Sequence, residues 1–100
     1  MARAAGEVLT EADVLDEVGN ALVGLGRYPD AIGHFHNALE ICRAAGHPFE
    51  VATLQHLAGA HLAASHPGRA RETWRRALAR ATELGDPRAA HLRAELASLR

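Results

Sequence analysis

The sequence predicts an all-α protein of about five helices arranged in antiparallel hairpins. Its 100 residues are 48% hydrophobic but only 4% aromatic, so aliphatic side chains must form the core of one domain. β-Branched residues are sparse, which excludes a β-sandwich or barrel. Gly and Pro recur together near residues 46–48 and 85–87, and this pairing is typical of the end of one helix and the start of the next.

Charge and cysteine content limit the classes of function. The 11 basic residues are all Arg and face 12 acidic residues, for a net charge of −1. The first 50 residues hold 3 Arg and 8 acidic residues, whereas the last 50 hold 8 Arg and 4 acidic residues, so the chain is a dipole along its length. A single Cys excludes a disulfide framework. No apolar run reaches the roughly 20 residues of a membrane span and no signal-peptide pattern opens the chain, so we expect a cytoplasmic protein.

The chain repeats itself with a period of 39 residues. When residues 14–48 are compared with residues 53–87, 7 of 35 positions are identical. The identical pairs are Leu15/Leu54, Ala21/Ala60, Ala31/Ala70, Ala38/Ala77, Leu39/Leu78, Gly46/Gly85 and Pro48/Pro87. These are small residues and apolar anchors, which determine how closely helices pack. Residues 3–6 have the same sequence, Arg-Ala-Ala-Gly, as the predicted helix end at residues 43–46. We therefore expect the chain to be an excerpt of a longer array or a short array with ragged ends.

Local signals predict helices 1 and 2. Thr10 is the predicted N-cap of helix 1, which spans residues 11–23. Its apolar stripe comprises Leu15, Val18, Leu22 and Leu25. Pro29 suits the first turn of helix 2, and Gly46 is expected to end that helix in a left-handed conformation. The apolar face of helix 2 comprises Ala31, Ile32, Phe35, Ala38, Leu39 and Cys42.

The same signals predict three further helices. Pro48 opens helix 3, and its apolar positions are Val51, Leu54, Leu57, Ala58 and Leu62. After a turn at residues 65–68, helix 4 continues to Gly85, and its apolar positions are Ala70, Trp74, Ala77, Leu78 and Ala81. Pro87 opens helix 5, with Leu92, Leu96 and Leu99 on one stripe. Turns this short join helices into antiparallel hairpins.

The order of these residues resembles the tetratricopeptide repeat. The signature positions are Leu15, Val18, Gly19, Ala31, Phe35 and Ala38 in the first copy, and Leu54, Leu57, Ala58, Ala70, Trp74 and Ala77 in the second. The resemblance implies a right-handed α–α superhelix of two helical hairpins plus a C-terminal capping helix. It divides the single domain into repeat 1 at residues 10–47, repeat 2 at 48–86, and a capping helix or the start of a third repeat at 87–100. Residues 1–9 are then the tail of a preceding helix or disordered.

The repeat is of a long variety. Its period of 39 residues exceeds the roughly 34 usual for this family, and the extra residues fall after Leu39 and Leu78. The long period, the Arg-rich composition and the junction at residues 84–88 resemble arrays in actinobacterial transcriptional regulators of the AfsR/SARP kind. This resemblance implies a bacterial transcriptional or signalling regulator as the parent protein. At His61 the chain departs from the apolar or aromatic residue that the family prefers.

The resemblance also implies a binding surface. In this family the first helix of each pair lines a concave groove that binds a peptide or a partner segment. Carried over to this chain, the groove residues are Asp13, Asp16, Asn20, Val23, Ala52, Gln55, Gly59, Leu62 and His91. Asp16 replaces the Lys of chaperone-binding relatives, and an acidic groove repels a carboxylate, so no clamp for a C-terminal carboxylate is expected. Alternatively, these are ordinary solvated residues of a groove that needs more repeats.

No side-chain pattern predicts catalysis, a metal or a cofactor. His34 and His36 point about 200° apart on a helix and cannot share one metal. His91 and Glu95 have suitable spacing but no third ligand nearby in sequence. Cys42 falls on the apolar face of helix 2, which indicates a buried, inert thiol. We therefore expect a non-catalytic protein that binds a protein or peptide.

Two alternatives to peptide binding stay open. The exposed ends of the array could bind another copy of the chain, which would make it a self-association module. Helix 4 could also be an accessory surface for nucleic acid, because it carries Arg69, Arg71, Arg75, Arg76 and Arg80. No aromatic residues interleave with these Arg residues, so a solvated outer face is the favoured interpretation of helix 4.

Overall fold

Five α-helices account for all the regular structure in the described part of the chain, as the sequence predicts. The computed structural model describes residues 5–47 and 49–99. The helices are α1 (Ala5–Gly24), α2 (Tyr28–Ala45), α3 (Phe49–Ala63), α4 (Pro67–Leu84) and α5 (Arg88–Ser98). Each helix packs on the next one along the chain, and α1 also contacts α3. No helix in these two ranges has the length and apolar character needed to cross a membrane.

The start of α1 differs from the prediction. Thr10 lies inside a continuous helix that begins at Ala5, so it is not the N-cap. Residues 5–9 therefore belong to α1 and are not the tail of an earlier helix, while residues 1–4 lie outside the described residues. The physical reason is that one Gly within a helix costs only about 1 kcal/mol relative to Ala. Gly6 is thus a weak stop signal when residues 7–9 are Glu, Val and Leu.

The other helix ends follow the local chemistry of Pro and Gly. Pro residues lie in the first turns of α2 and α4, and Gly46 and Gly85 end these helices in the left-handed region, with φ of 64° and 65°. The prediction for Gly46 is confirmed. The predicted start of helix 3 at Pro48 lies outside the described residues. Just before α5, Asp86 Oδ1 accepts a hydrogen bond from the backbone N–H of Arg88 at 2.9 Å.

Small residues at matched positions allow the helices to pack closely. Ala31 and Ala70, which are one period apart, are fully buried, as are Ala38 and Ala77. Phe35 and Trp74 are buried in the same core. The prediction that these matched residues form the core is confirmed, and so is the burial of Cys42.

The apolar stripe predicted for helix 1 is wrong in part. Leu15 and Leu22 are half-buried, but Val18 and Leu25 are exposed. Within residues 11–24 of α1, the buried positions are instead Ala12, Asp16 and Gly19. Because α1 is the first helix, nothing in the described chain covers its far side. Leu62, predicted in the apolar stripe of helix 3, is likewise exposed.

A carboxylate that the sequence reasoning did not single out joins three helices. Glu50 at the start of α3 is buried, and its two oxygens accept hydrogen bonds from Arg43 of α2 at 3.2 Å and Arg80 of α4 at 3.1 Å. Charge-assisted hydrogen bonds of this kind are stronger than neutral ones. Glu50 therefore holds the second helix of each hairpin against α3.

Candidate functional site

The first helices of the two hairpins lie side by side and are joined by a polar pair of a buried carboxylate and a half-buried histidine. His56 Nδ1 of α3 lies 2.8 Å from Asp16 Oδ2 of α1 and 2.9 Å from Asp16 Oδ1, so the ring N–H donates to the carboxylate. Asp16 is only 3% exposed. The His56 ring also lies near Phe35 of α2, tilted by 40° with ring centroids 6.1 Å apart. The contact between Asp16 and His56 thus connects α1 directly to α3.

The predicted groove residues of α1 and α3 differ in exposure, and one of them is not available to a ligand. Asp13, Asn20 and Leu62 are exposed, and Val23, Ala52, Gln55 and Gly59 are half-buried. Asp16 was expected to face a ligand, but its carboxylate is buried and bound to His56. The sequence pattern did not reveal this burial because His56, the partner of Asp16, lies 40 residues away in sequence.

His91 is not brought against the other predicted groove residues. It lies on α5, which packs on α4 and on no other helix in the described part of the chain. The exposed His91 ring instead lies 3.5 Å from Glu95 on its own helix. Without His91, the predicted groove residues all belong to α1 and α3, and we call this predicted set the α1–α3 surface. Its accessible members are Asp13, Asn20, Val23, Ala52, Gln55, Gly59 and Leu62.

The side of this surface formed by α1 is acidic. Asp13 and Glu17 are exposed, and residues 11–24 contain no basic residue. The burial of Asp16 removes one carboxylate from the charge that a ligand would meet, which makes the surface less acidic than the sequence suggests. Two amides lie beside the acidic residues, at Gln55 and at Asn20, whose Nδ2 donates to Asp16 Oδ2 at 3.5 Å while its Oδ1 is left to accept. An amide both donates and accepts hydrogen bonds, so either can bind a peptide backbone.

His61 is the buried histidine of α3. It is 7% exposed, and its Nδ1 is a buried side-chain atom without a hydrogen-bond partner among the described residues. Burial lowers the pKa of His61, and the nearby positive charges of Arg69, His36 and His66 lower it further. The ring is therefore held in its neutral form, which explains how a histidine fits a position where the family prefers an apolar side chain.

Metal-ligand clusters and an activated thiol are both absent from the residues that the structure describes. No group of three His, Cys, Asp or Glu side chains in residues 5–47 and 49–99 could hold a metal ion. Burial, followed by the negative charges of Glu50 and Asp16, raises the pKa of the Cys42 thiol. A raised pKa keeps the thiol protonated and a poor nucleophile.

Helix α4 is less available to nucleic acid than its sequence suggests. Arg71 donates to the backbone oxygen of Leu99 at 2.6 Å, and Arg80 binds both Glu50 and Glu83. Two of the five Arg residues thus hold the fold together. Arg69, Arg75 and Arg76 are exposed.

Comparison with known protein families decides the classification. The family model of the tetratricopeptide repeat matches residues 10–83. The chain belongs to the tetratricopeptide repeat family. Comparisons with curated proteins and with solved structures returned no match. Tetratricopeptide repeats generally mediate protein–protein interaction and are typically not catalytic, and the five-helix architecture with its matched hairpins agrees with such an array.

Proposed function

We propose that this tetratricopeptide repeat chain is a non-catalytic module that binds a protein or peptide segment on the α1–α3 surface. The observation that carries the proposal is the Asp16–His56 pair, which places the first helices of both hairpins side by side. Accessible polar and apolar groups then lie on both sides of the pair. Because the Asp16 carboxylate is buried and already bonded, we assign it to holding the two helices together and not to contacting the ligand.

The chemistry of the surface favours a basic or amphipathic segment. Exposed Asp13 and Glu17 attract Arg and Lys side chains. Asn20 and Gln55 can pair with backbone N–H and C=O groups of the segment. No neighbour lies within 4 Å of the place where a Cβ atom of Gly59 would stand, so a ligand can approach the backbone there. The chain has no Lys, so it lacks the residue that clamps a C-terminal carboxylate in chaperone-binding relatives.

We place the module in a bacterial transcriptional or signalling regulator of the cytoplasm. The long period and the junction at residues 84–88 support this context through their resemblance to regulators of the AfsR/SARP kind. We divide the chain into repeats at residues 10–47 and 48–86, followed by residues 87–100 as a cap or the start of a third repeat. The coding sequence on either side of this segment tests the context, since a DNA-binding or nucleotide-binding domain is expected there.

A peptide selection tests the binding proposal. Random 12-residue peptides displayed on phage are selected on the immobilised chain, and the strongest are synthesised for calorimetry. We expect enrichment in Arg and Lys. The double variant Asn20→Ala/Gln55→Ala should weaken binding roughly 30-fold, since two lost hydrogen bonds are worth about 1 kcal/mol each. Asn37→Ala is the matched control, because Asn37 is exposed on α2, away from the surface. Selected peptides that bind the double variant as tightly as the parent chain would refute the proposed surface.

A further inference from the structure

His56 of α3 has one ring nitrogen that is bonded within the fold and one that is open to a ligand. Its side chain is 40% exposed, whereas the Asp16 side chain that it contacts is 5% exposed. The hydrogen bonds of His56 to described residues pass through Nδ1. In the described chain, the buried side-chain nitrogen or oxygen without a partner belongs to His61. Nε2 of His56 is therefore not a buried atom, and a ligand can reach it.

Helical spacing places His56 among the predicted groove residues, although the sequence reasoning did not include it there. Ala52 lies four residues before His56 and Gly59 lies three residues after it, so the three share one side of α3. On α1, Asn20 lies four residues after Asp16, and its Nδ2 donates to Asp16 Oδ2 at 3.5 Å. The His56 ring thus lies next to groove residues of both helices, and a segment bound to the α1–α3 surface meets it.

The Asp16 carboxylate determines which nitrogen of the His56 ring carries the hydrogen. An ionised carboxylate only accepts hydrogen bonds, so Nδ1 of the neutral ring holds the hydrogen and Nε2 keeps a free lone pair. A carboxylate on one nitrogen also orients an imidazole and makes the other nitrogen a stronger base. Nε2 is therefore an oriented acceptor at the surface and not a donor.

The charge of the Asp16–His56 pair selects the group from which Nε2 accepts. A neutral ring and an ionised carboxylate together carry a net negative charge. A cationic donor gains both the hydrogen bond and the attraction of this charge, whereas a neutral donor gains only the bond. A ligand carboxylate has no hydrogen to donate and is repelled. Exposed Asp13 and Glu17 on α1 favour a cation as well.

We propose that His56 determines the specificity of the α1–α3 surface, and that its Nε2 accepts a hydrogen bond from an Arg or Lys side chain of the bound segment. Asp16 is a positioning residue in this arrangement, since it acts on the ligand through the His56 ring. The inference rests on the proposed function, because it concerns the same surface, and it names the contact that makes that surface select a basic segment.

The variant His56→Asn separates the two roles of the ring. The amide nitrogen of Asn takes nearly the place of Nδ1 and can still donate to Asp16, but nothing replaces Nε2. We expect binding of the phage-selected peptides to weaken about tenfold, as for the loss of one charge-assisted hydrogen bond, with an unchanged midpoint in urea. His34→Asn is the matched control, because His34 Nδ1 lies 2.9 Å from the Asp30 backbone oxygen on α2, away from the surface.

A double-mutant cycle identifies the contact on the ligand. Each Arg or Lys of the strongest peptide is replaced in turn by Gln, and every peptide is titrated with the parent chain and with the His56→Asn variant. One replacement should cost about tenfold with the parent chain and little with the variant. The two changes remove the same hydrogen bond, so their effects should not add.

The imidazole ¹⁵N resonances of His56 give a readout that does not depend on affinity. They are recorded at about pH 8, where neutral histidine is the ordinary form. We expect the free chain to carry the ring hydrogen on Nδ1, and the Nε2 resonance to shift when the peptide is added. A His56 that only held α1 against α3 would show the first result without the second.

The outcomes distinguish this inference from the proposed function. Peptides that bind the parent chain and His56→Asn equally, but bind Asn20→Ala/Gln55→Ala weakly, would overturn the role of His56 and leave the surface intact. Additive effects for every Arg and Lys replacement, or a ring hydrogen on Nε2 in the free chain, would also overturn it. If the selection yields no peptide that binds the parent chain, the proposed function fails and the role of His56 fails with it.

Discussion

The Phe35 ring of α2 packs directly against Gly19 of α1, and a Cβ atom at Gly19 would lie 2.6 Å from Phe35 Cε1. Phe35 is fully buried, so its ring has little room to move away. This contact sets how closely the two helices of the first hairpin approach each other. In the second hairpin, Ala58 and Trp74 occupy the matching positions and are also buried.

The first prediction is that Gly19→Ala destabilises the chain. The clash with Phe35 should cost about 1–3 kcal/mol as overpacking, which exceeds the roughly 1 kcal/mol that Ala gains over Gly in a helix. Gly33→Ala is the matched control, because no neighbour lies within 4 Å of a Cβ at Gly33. Urea denaturation should show a lower midpoint for Gly19→Ala and an equal or higher one for Gly33→Ala. If Gly19→Ala raised the midpoint as much as Gly33→Ala does, the Phe35 ring would have moved to make room for the new Cβ atom.

The second prediction concerns the matched alanines of the repeats. Ala31→Leu and Ala70→Leu should each lower the free energy of unfolding by about 1–3 kcal/mol, because both sites are fully buried between helices. Ala79→Leu provides the control, since Ala79 is exposed on α4. Midpoints for the first two variants that match the parent chain would contradict the repeat alignment.

The third prediction is a dependence of stability on pH that arises from His61. Its pKa is lowered in the folded chain, so the unfolded chain binds more protons as the pH falls through the ordinary histidine pKa of about 6.5. The stability associated with neutral His61 is therefore present at higher pH and is lost as the pH falls below that value. Chemical denaturation between about pH 5 and pH 8 measures this slope.

Removing the His61 imidazole should flatten that slope. His61→Leu supplies an apolar side chain at a buried site and leaves nothing to titrate there. His91→Gln is the control, because His91 is exposed on α5 and its removal should leave most of the slope in place. If the His61→Leu variant kept the full pH dependence, other histidines would be responsible for it.

The fourth prediction concerns the carboxylate that joins α2, α3 and α4. Glu50→Gln should destabilise the chain by roughly 1–3 kcal/mol, because Arg43 and Arg80 lose a charged acceptor that is mostly shielded from water. Glu83→Gln tests the exposed partner of the same Arg80 and should cost well under 1 kcal/mol, as is usual for surface ion pairs. Thermal unfolding of the two variants measures the difference, and equal losses would mean that the burial of Glu50 adds nothing.

The candidate surface could be predicted from sequence only in part. The resemblance to the tetratricopeptide repeat implied Asn20 of α1 and Gln55 and Gly59 of α3 as groove residues, while periodicity reports only which residues share a side of one helix. It could not report that Asp16 is buried, since the His56 ring that binds it arrives from 40 residues away. Nor could it show that α5 packs on α4 without reaching α3, which separates His91 from the rest.

The sequence by itself determined where most helices end and which small residues bring them together. Gly46 and Gly85 end their helices because only the local backbone conformation matters there, and Ala31 and Ala70 repeat at the close contacts. Tertiary structure alone decided which apolar faces are buried. Val18 and Leu57 occupy the same position in the repeat, yet Val18 is exposed and Leu57 is fully buried. The physical reason is that burial depends on a neighbouring helix, and in the described chain α3 follows a second helix that can cover it whereas α1 does not.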